Sequence, residues 1–314
     1  MYLGIDIGGT KVLALLVARN GEVLGRGKKK IKDTAPEKVL GRALQAARAA
    51  LDDASRELSS VKAVGLAVPS SVRDGRALNA PALGWRDVPV LELAKKRLSC
   101  PVYLGNDVNL GLAAEYVHRS FKRKDILAGF FVGTGVGGAV IHAGKIIRGH
   151  DGFAGELGHI IVVPNGRRCG CGNAGCLEAY ASKTALLARL REAAGKKRRL
   201  KAGERRAPMI TSSEIYTAYA ARDPFVQEIF DEGIRYLALA AASVINILSP
   251  RQLVLGGGIV EAFGAPLVTR IRKLAAPHVF GDRARSNVIV KTALGDDAVP
   301  AGAALLARRA GELL

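Results

Sequence analysis

Leu127–Arg148, LAGFFVGTGVGGAVIHAGKIIR, repeats the pattern of Tyr2–Gly27, YLGIDIGGTKVLALLVARNGEVLGRG. In the later stretch Leu127–Val132 is an apolar strand, and Gly133-Thr134-Gly135-Val136-Gly137-Gly138 is a glycine turn. Ala139–His142, a turn at Ala143-Gly144 and Lys145–Arg148 complete it. In the earlier one Tyr2–Ile7 leads into Gly8-Gly9-Thr10-Lys11, then Val12–Val17, Asn20-Gly21 and Glu22–Gly27. Each is a three-strand antiparallel meander. Adjacent glycines expose backbone N–H groups, and Thr10 adds a hydroxyl, so such a turn can hold a phosphate. No helix follows at once, which sets it apart from the lysine-bearing phosphate loop that opens a helix. A single glycine hairpin is usually only a hairpin. The matched pair predicts two related halves, each presenting one phosphate-holding turn.

Gly152–Glu178, GFAGELGHIIVVPNGRRCGCGNAGCLE, holds three of the four cysteines, Cys169, Cys171 and Cys176, with His159 a short strand upstream. One imidazole and three thiolates are the ligand set of a closed, structural Zn²⁺ site. Cys169 and Cys171 flank a single residue, so a disulfide between them would be strained. Glu156 and Glu178 bracket the cluster, and fixed carboxylates are good acceptors for sugar hydroxyls. The glycine hairpins are built from other segments, so a change in the cysteine loop is expected to leave nucleotide binding largely intact.

The chain has 314 residues and a formal charge of +19. That size allows one large domain or two moderate ones, and that charge favours anionic ligands. Much of it is local, in Lys28-Lys29-Lys30 and in the run from Lys196 to Arg206, which reads as a solvated loop between Gly195 and Pro208. The opening residues carry no signal-peptide pattern. The longest apolar run, Leu237–Leu248, is too short to span a bilayer. Clustered thiols then point to a reducing, cytoplasmic setting and no membrane partner.

Between the meanders, Glu37–Leu58 has helical spacing, and Val61–Val68 is a buried strand ending at Pro69-Ser70-Ser71. Leu78–Trp85 is a loop carrying Asn79, and Val90–Leu98 a short helix. Val102–Leu104 is a strand running into Gly105-Asn106-Asp107, with a helix over Leu110–His118. The carboxyl end of a strand is where ligands bind in α/β sheets, while an N-cap is the structural use of such an Asp. Lys122–Asp125 is a domain junction. Helices over Ser182–Ala194, Ser212–Ala221 and from Asp223-Pro224 to Leu248 follow, the last buried from Leu237 onward. Gln252–Leu255 is a strand ending in Gly256-Gly257-Gly258, and helices over Pro266–Ala275 and Pro300–Arg309 flank a last strand.

GELGH followed by CGCGNAGCLE resembles the signature of the ROK family (repressors, open reading frames, kinases), and the likeness runs from Ile5 to about Ala307. It implies an α/β, two-domain actin-like ATPase/sugar kinase fold with a cleft between related halves. The small domain would comprise 1–118 plus 300–314, and the large domain, with the zinc-binding loop, 119–299. Asp6, Gly8, Gly9, Thr10 and Lys11 match the family's first phosphate motif. Gly133, Thr134, Gly135, Gly137 and Gly138 match the second, and Gly256, Gly257 and Gly258 the adenosine motif. Asn106 and Asp107 match the catalytic pair, with Asp107 as the base. Asn79, Asn106, Asp107, Glu156, His159 and Glu178 match sugar-contacting positions, and His159 is also a zinc ligand.

The implied reaction is transfer of a phosphoryl group from ATP, with Mg²⁺ held near Asp6, to the 6-hydroxyl of a hexose, glucose foremost. N-acetylmannosamine, N-acetylglucosamine or fructose are the alternative acceptors, and polyphosphate the alternative donor suggested by the charge. Family repressors carry a helix-turn-helix before the first phosphate motif. DIGGTK begins at Asp6, so no nucleic-acid partner is expected, and a homodimer or homotetramer is. One departure concerns Ser70-Ser71, where the family usually has glycine after the proline. It bears on sugar preference rather than chemistry.

Overall fold

The computed structural model describes residues 1–197, 212–282 and 288–311. The basic run beyond Lys197 lies outside the described residues. By contact density the chain forms two compact units. One comprises Met1–Leu127, Ala139–Gly155 and Thr292–Leu314, the other Ala128–Gly138 and Glu156–Lys291.

In the first unit β1 (Tyr2–Ile7), β2 (Lys11–Val17) and β3 (Val23–Lys30) form the expected meander. β4 (Ala63–Val68) and β8 (Val102–Asn106) extend it in parallel, giving the order β3-β2-β1-β4-β8. Side chains alternate across a strand. Leu3, Ile5 and Ile7 of β1 therefore share one core with Val39, Leu40 and the alanines of α1 (Pro36–Asp53), and with Trp85. The buried indole N–H donates to the carbonyl of Thr34 at 2.6 Å.

A short helix, α2 (Val90–Lys95), precedes β8, and the opposite face carries α3 (Asp107–His118) and α9 (Ala298–Arg308). Gly4 and Gly65 let α9 lie directly on the strands, since a Cβ at either would run into the carbonyl oxygen of Pro300 or Ala303. Helices on both faces of a mixed sheet form a three-layer core that needs no long apolar run.

In the first unit α1 and the segment around Asn79 differ from expectation. α1 stops at Asp53 rather than Leu58, because Ser55 turns left-handed and donates its N–H to Asp52 O. Leu78–Trp85 is not a loop. β5 (Val72–Arg73), β6 (Arg76–Ala80) and β7 (Trp85–Val88) make a third, three-stranded sheet, with Asn79 opposite Arg86. The strands are too short, and too rich in Ala, Asn and Arg, to show an alternating pattern.

The second half of the chain contains β9 (Leu127–Val132), β10 (Val136–His142) and β11 (Lys145–Ile146), the expected second meander. With β12 (Gln252–Gly256) and β13 (Ile289–Lys291) they give the order β11-β10-β9-β12-β13. Gly137 and Gly138 lie within β10 rather than in the turn. The helices here are α4 (Glu178–Ala181), α5 (Lys183–Lys197), α6 (Ser212–Ala220), α7 (Pro224–Leu248) and α8 (Gly258–Ala275). Asp223 caps α7 by accepting the N–H of Val226 at 3.0 Å. Its far end is not buried all round, since Ile247 is 77% exposed. α8 begins earlier than Pro266, and a kink at Gly264 accommodates that proline.

One buried charge stands out. Glu115 of α3 is 0% exposed. It accepts from the hydroxyl of Thr292, from the N–H groups of Ala293 and Leu294, and from Arg119 Nε. Burial alone would raise its pKa, but those hydrogen bonds outweigh it and hold the carboxyl below its ordinary 4.5. A depressed carboxyl stabilises fully above the unfolded value and loses that contribution as pH falls through the folded one. Glu115→Gln is expected to cost about 1–3 kcal/mol at neutral pH. Urea unfolding followed from pH 7 to pH 3 should show the gap between parent and variant closing below about pH 4.5.

Candidate active site

In the first unit the end of β1 and the head of α3 bring the expected residues together. Gly8 N–H bonds Lys11 O at 3.0 Å and closes the first glycine turn. The N–H groups of Gly9 and Thr10 take no partner among the described residues. Lys11, already within β2, reaches Asp296 at 2.8 Å. Burial, then the Asp107 charge and the weaker Asp296 charge, push the Asp6 carboxyl up to about 7, against the pull of Lys11. Asp6, Lys11, Asp107 and Asp296 thus share one corner.

Asp296 was not found from sequence. Its only signal is the acidic pair Asp296-Asp297 ahead of the closing helix.

The cap of α3 is Asn106, not Asp107. Asn106 Oδ1 accepts the N–H of Asn109 at 2.9 Å, and Asn106 Nδ2 donates to Asp107 Oδ1 at 3.1 Å. Asp107 is the first helical residue and also accepts the N–H of Val108 at 2.8 Å. A carboxylate at a helix N-terminus is favoured by the dipole.

In the second unit Gly133 N–H bonds Gly135 O at 2.9 Å, and the N–H groups of Thr134 and Gly135 have no partner among the described residues. The first turn's arrangement recurs. Here the carbonyls are tied down as well. Lys183 N–H donates to Gly133 O at 2.9 Å, and Thr184 Oγ1 donates to Thr134 O at 2.8 Å. Fixing the carbonyls on α5 leaves the amides for an anion. Gly257 caps α8 at φ 89, and a Cβ there would meet the Val132 backbone, so the third glycine motif packs against the strand that feeds this turn.

Glu178 joins the turn to the cysteine segment. Its Oε2 accepts the N–H of Val136 at 2.9 Å, and its Oε1 lies 3.7 Å from Cys169 Sγ. One carboxylate therefore ties the hairpin to the cysteine loop.

Glu156 lies nearby. Burial raises its pKa, with Glu178 adding to the effect and His159 opposing it. His159 Nδ1 is 3.7 Å from Cys169 Sγ, and Cys171 Sγ is 3.7 Å from Cys176 Sγ. The four ligand atoms lie within 4.8 Å of one another, and all three thiols are free. A tetrahedral zinc with ~2.3 Å Zn–S bonds sets sulfurs ~3.8 Å apart, so the spacing fits. Burial pushes the Cys169 thiol up to about 12, so three thiolates would gather only around a cation.

Two α/β units, each presenting a glycine turn whose amides are unpaired among the described residues, beside fixed carboxylates, define the actin-like class of phosphoryl-transfer folds. The profile of the ROK family matches residues 2–310, and the chain belongs to that family. The crystal structure of a ROK family glucokinase from Streptomyces griseus in complex with glucose and AMPPNP has a TM-score of 0.82 at 31% identity. It covers 98% of this chain and 99% of that one. The glucokinase of Streptomyces coelicolor is 32% identical, over 98% of each chain. The xylose repressor of Bacillus subtilis is 24% identical over 96% of this chain and 75% of its own.

A Cβ on Gly135 would run into Glu178 Oε2, whereas Gly133 faces open space. Gly135→Ala is expected to displace Glu178 Oε2 from the Val136 N–H and to destabilise by about 0.5–1.5 kcal/mol, the net worth of that hydrogen bond. Gly133→Ala should stay within about 0.5 kcal/mol of the parent. Paired chemical denaturation curves check the contrast.

Proposed function

We propose that the protein is an ATP-dependent kinase that phosphorylates a hexose, glucose foremost, on its 6-hydroxyl. The observation that carries this reading is Asp107 at the head of α3, its cap supplied by Asn106, in the same corner as the first glycine turn. Phosphoryl transfer depends mainly on positioning and charge stabilisation.

Asp107 accepts the proton of the 6-hydroxyl as that oxygen attacks the γ-phosphorus in line, while the bond from that phosphorus to its bridging oxygen breaks and ADP leaves. Asn79, Asn106, Glu156, Glu178 and His159 accept or donate to the remaining hydroxyls. His159 Nδ1 faces the cysteines, which leaves Nε2 for a hydroxyl. The amides of Gly9, Thr10, Thr134 and Gly135 take donor phosphate oxygens, and Lys11 adds a positive charge. Gly256, Gly257 and Gly258 with the start of α8 serve the adenosine side.

The raised pKa of Asp6 marks a crowd of carboxylates that a divalent cation would relieve. Asp6 would hold Mg²⁺, which, when bound, neutralises charge on the phosphates. His159, Cys169, Cys171 and Cys176 would hold a structural Zn²⁺ that fixes the loop carrying Glu178. Among the described residues no helix is long and apolar enough to cross a membrane. A homodimer or homotetramer is the proposed assembly.

Asp107→Asn is expected to keep its fold and its glucose affinity while turnover falls by roughly 10²–10⁴-fold, the worth of a general base. A coupled assay against a panel of hexoses and amino sugars, with ATP or polyphosphate as donor, measures this together with substrate choice. Near-parental turnover would refute the role of Asp107.

Cys171→Ser should lower zinc from about one per chain, as one Cys₃His set requires. It should also weaken glucose binding by about 10–100-fold, the usual cost of disturbing a metal site's surroundings. Metal analysis and calorimetry read the two effects separately.

A further inference from the structure

Ser70, next after Pro69, is buried. It is 4% exposed, just past the carboxyl end of β4. Its hydroxyl is satisfied in both directions. Oγ donates to the carbonyl of Ser71 at 2.8 Å and accepts the backbone N–H of Asn79 at 3.0 Å. Its own carbonyl accepts Asn106 Nδ2 at 3.2 Å. The same amide group of Asn106 reaches Asp107 Oδ1, while Asn106 Oδ1 caps α3. One residue therefore touches the strand carrying Asn79 and the side chain that orients Asp107, and all of them belong to the first unit.

We infer that Ser70 is a positioning residue for the acceptor sugar. Its hydroxyl fixes the backbone of Asn79 on β6, and through Asn79 it sets the grip on one sugar hydroxyl. A glycine at this position could not do so. It has no oxygen to accept the Asn79 N–H, which lies in a partly buried place where a lost partner is costly. The small sheet β5-β6-β7 has only short strands of its own, and a three-stranded sheet of this size depends on what it is fastened to. The Ser70 hydroxyl is such a fastening, between residues nine apart in sequence. The carbonyl of Ser70 survives any substitution, so the bond to Asn106 and the orientation of Asp107 do not depend on the hydroxyl. The inference thus separates acceptor binding from chemistry. It rests on the sugar-kinase reading.

The test compares Ser70→Ala, Ser70→Gly and Ser70→Thr with the parent, alone and combined with Asn79→Ala. Steady-state kinetics with glucose and ATP are paired with glucose calorimetry. Loss of one hydrogen bond of this kind corresponds to about 3- to 10-fold in apparent affinity.

Ser70→Ala and Ser70→Gly should raise the glucose KM by that factor, with the ATP KM and kcat within about twofold. Ser70→Thr, which keeps the hydroxyl, should stay near the parent. In the Asn79→Ala background the Ser70→Ala effect on glucose affinity should largely vanish, because the two residues act as one unit. Equal losses in both backgrounds, a fall in kcat with KM unchanged, or parental KM in both Ser70→Ala and Ser70→Gly would overturn the inference alone. A parent protein that binds and phosphorylates no sugar would overturn the kinase reading, and this inference with it.

Discussion

Two pairs of backbone N–H groups, on Gly9 and Thr10 and on Thr134 and Gly135, stand without partners among the described residues. An unpaired amide is tolerated only where water or a ligand can reach it. Each turn closes on itself through a single bond, Gly8 to Lys11 in one and Gly133 to Gly135 in the other. The sheets behind them are covered by helices, so the turns sit at strand ends and not in a core. In the second unit α5 spends its first N–H groups on the turn's carbonyls, and Glu178 takes the next amide along. What remains exposed is donors alone, which is the chemistry of an anion cradle.

The meander pairs were legible because alternation, a glycine turn and an Asn-Gly or Ala-Gly turn are local signals. The cysteine cluster was legible because ligand spacing is also local. The sheet around Asn79 was not. Its strands carry Ala, Asn and Arg, and they pair because Ser70, Trp85 and the end of β4 hold them there, which no window of sequence reveals. The cap of α3 was equally hard to read. Asn106 and Asp107 are both good caps by type, and the choice was made by Ser70 O, which draws the Asn106 side chain back across the helix start.

Glu178 shows how residue-by-residue reading divides what the fold joins. From its motif it belonged with the cysteines and the sugar. In space its two oxygens face different partners, the Val136 amide and the Cys169 sulfur. A carboxylate so placed makes the stiffness of one loop depend on that of the other. Asp296 escaped notice for the opposite reason. It sits in no motif, and only the return of the chain from β13 to α9 brings it to Lys11.

That return also governs how the protein is made. α9 lies on β1 and β4, and Thr292–Leu294 is held by Glu115. The first sheet to leave the ribosome therefore waits for the final helix to cover one of its faces, while the second unit, lying between, can condense beforehand. A ribosome that stalls before residue 292 leaves a sheet with Gly4 and Gly65 bare.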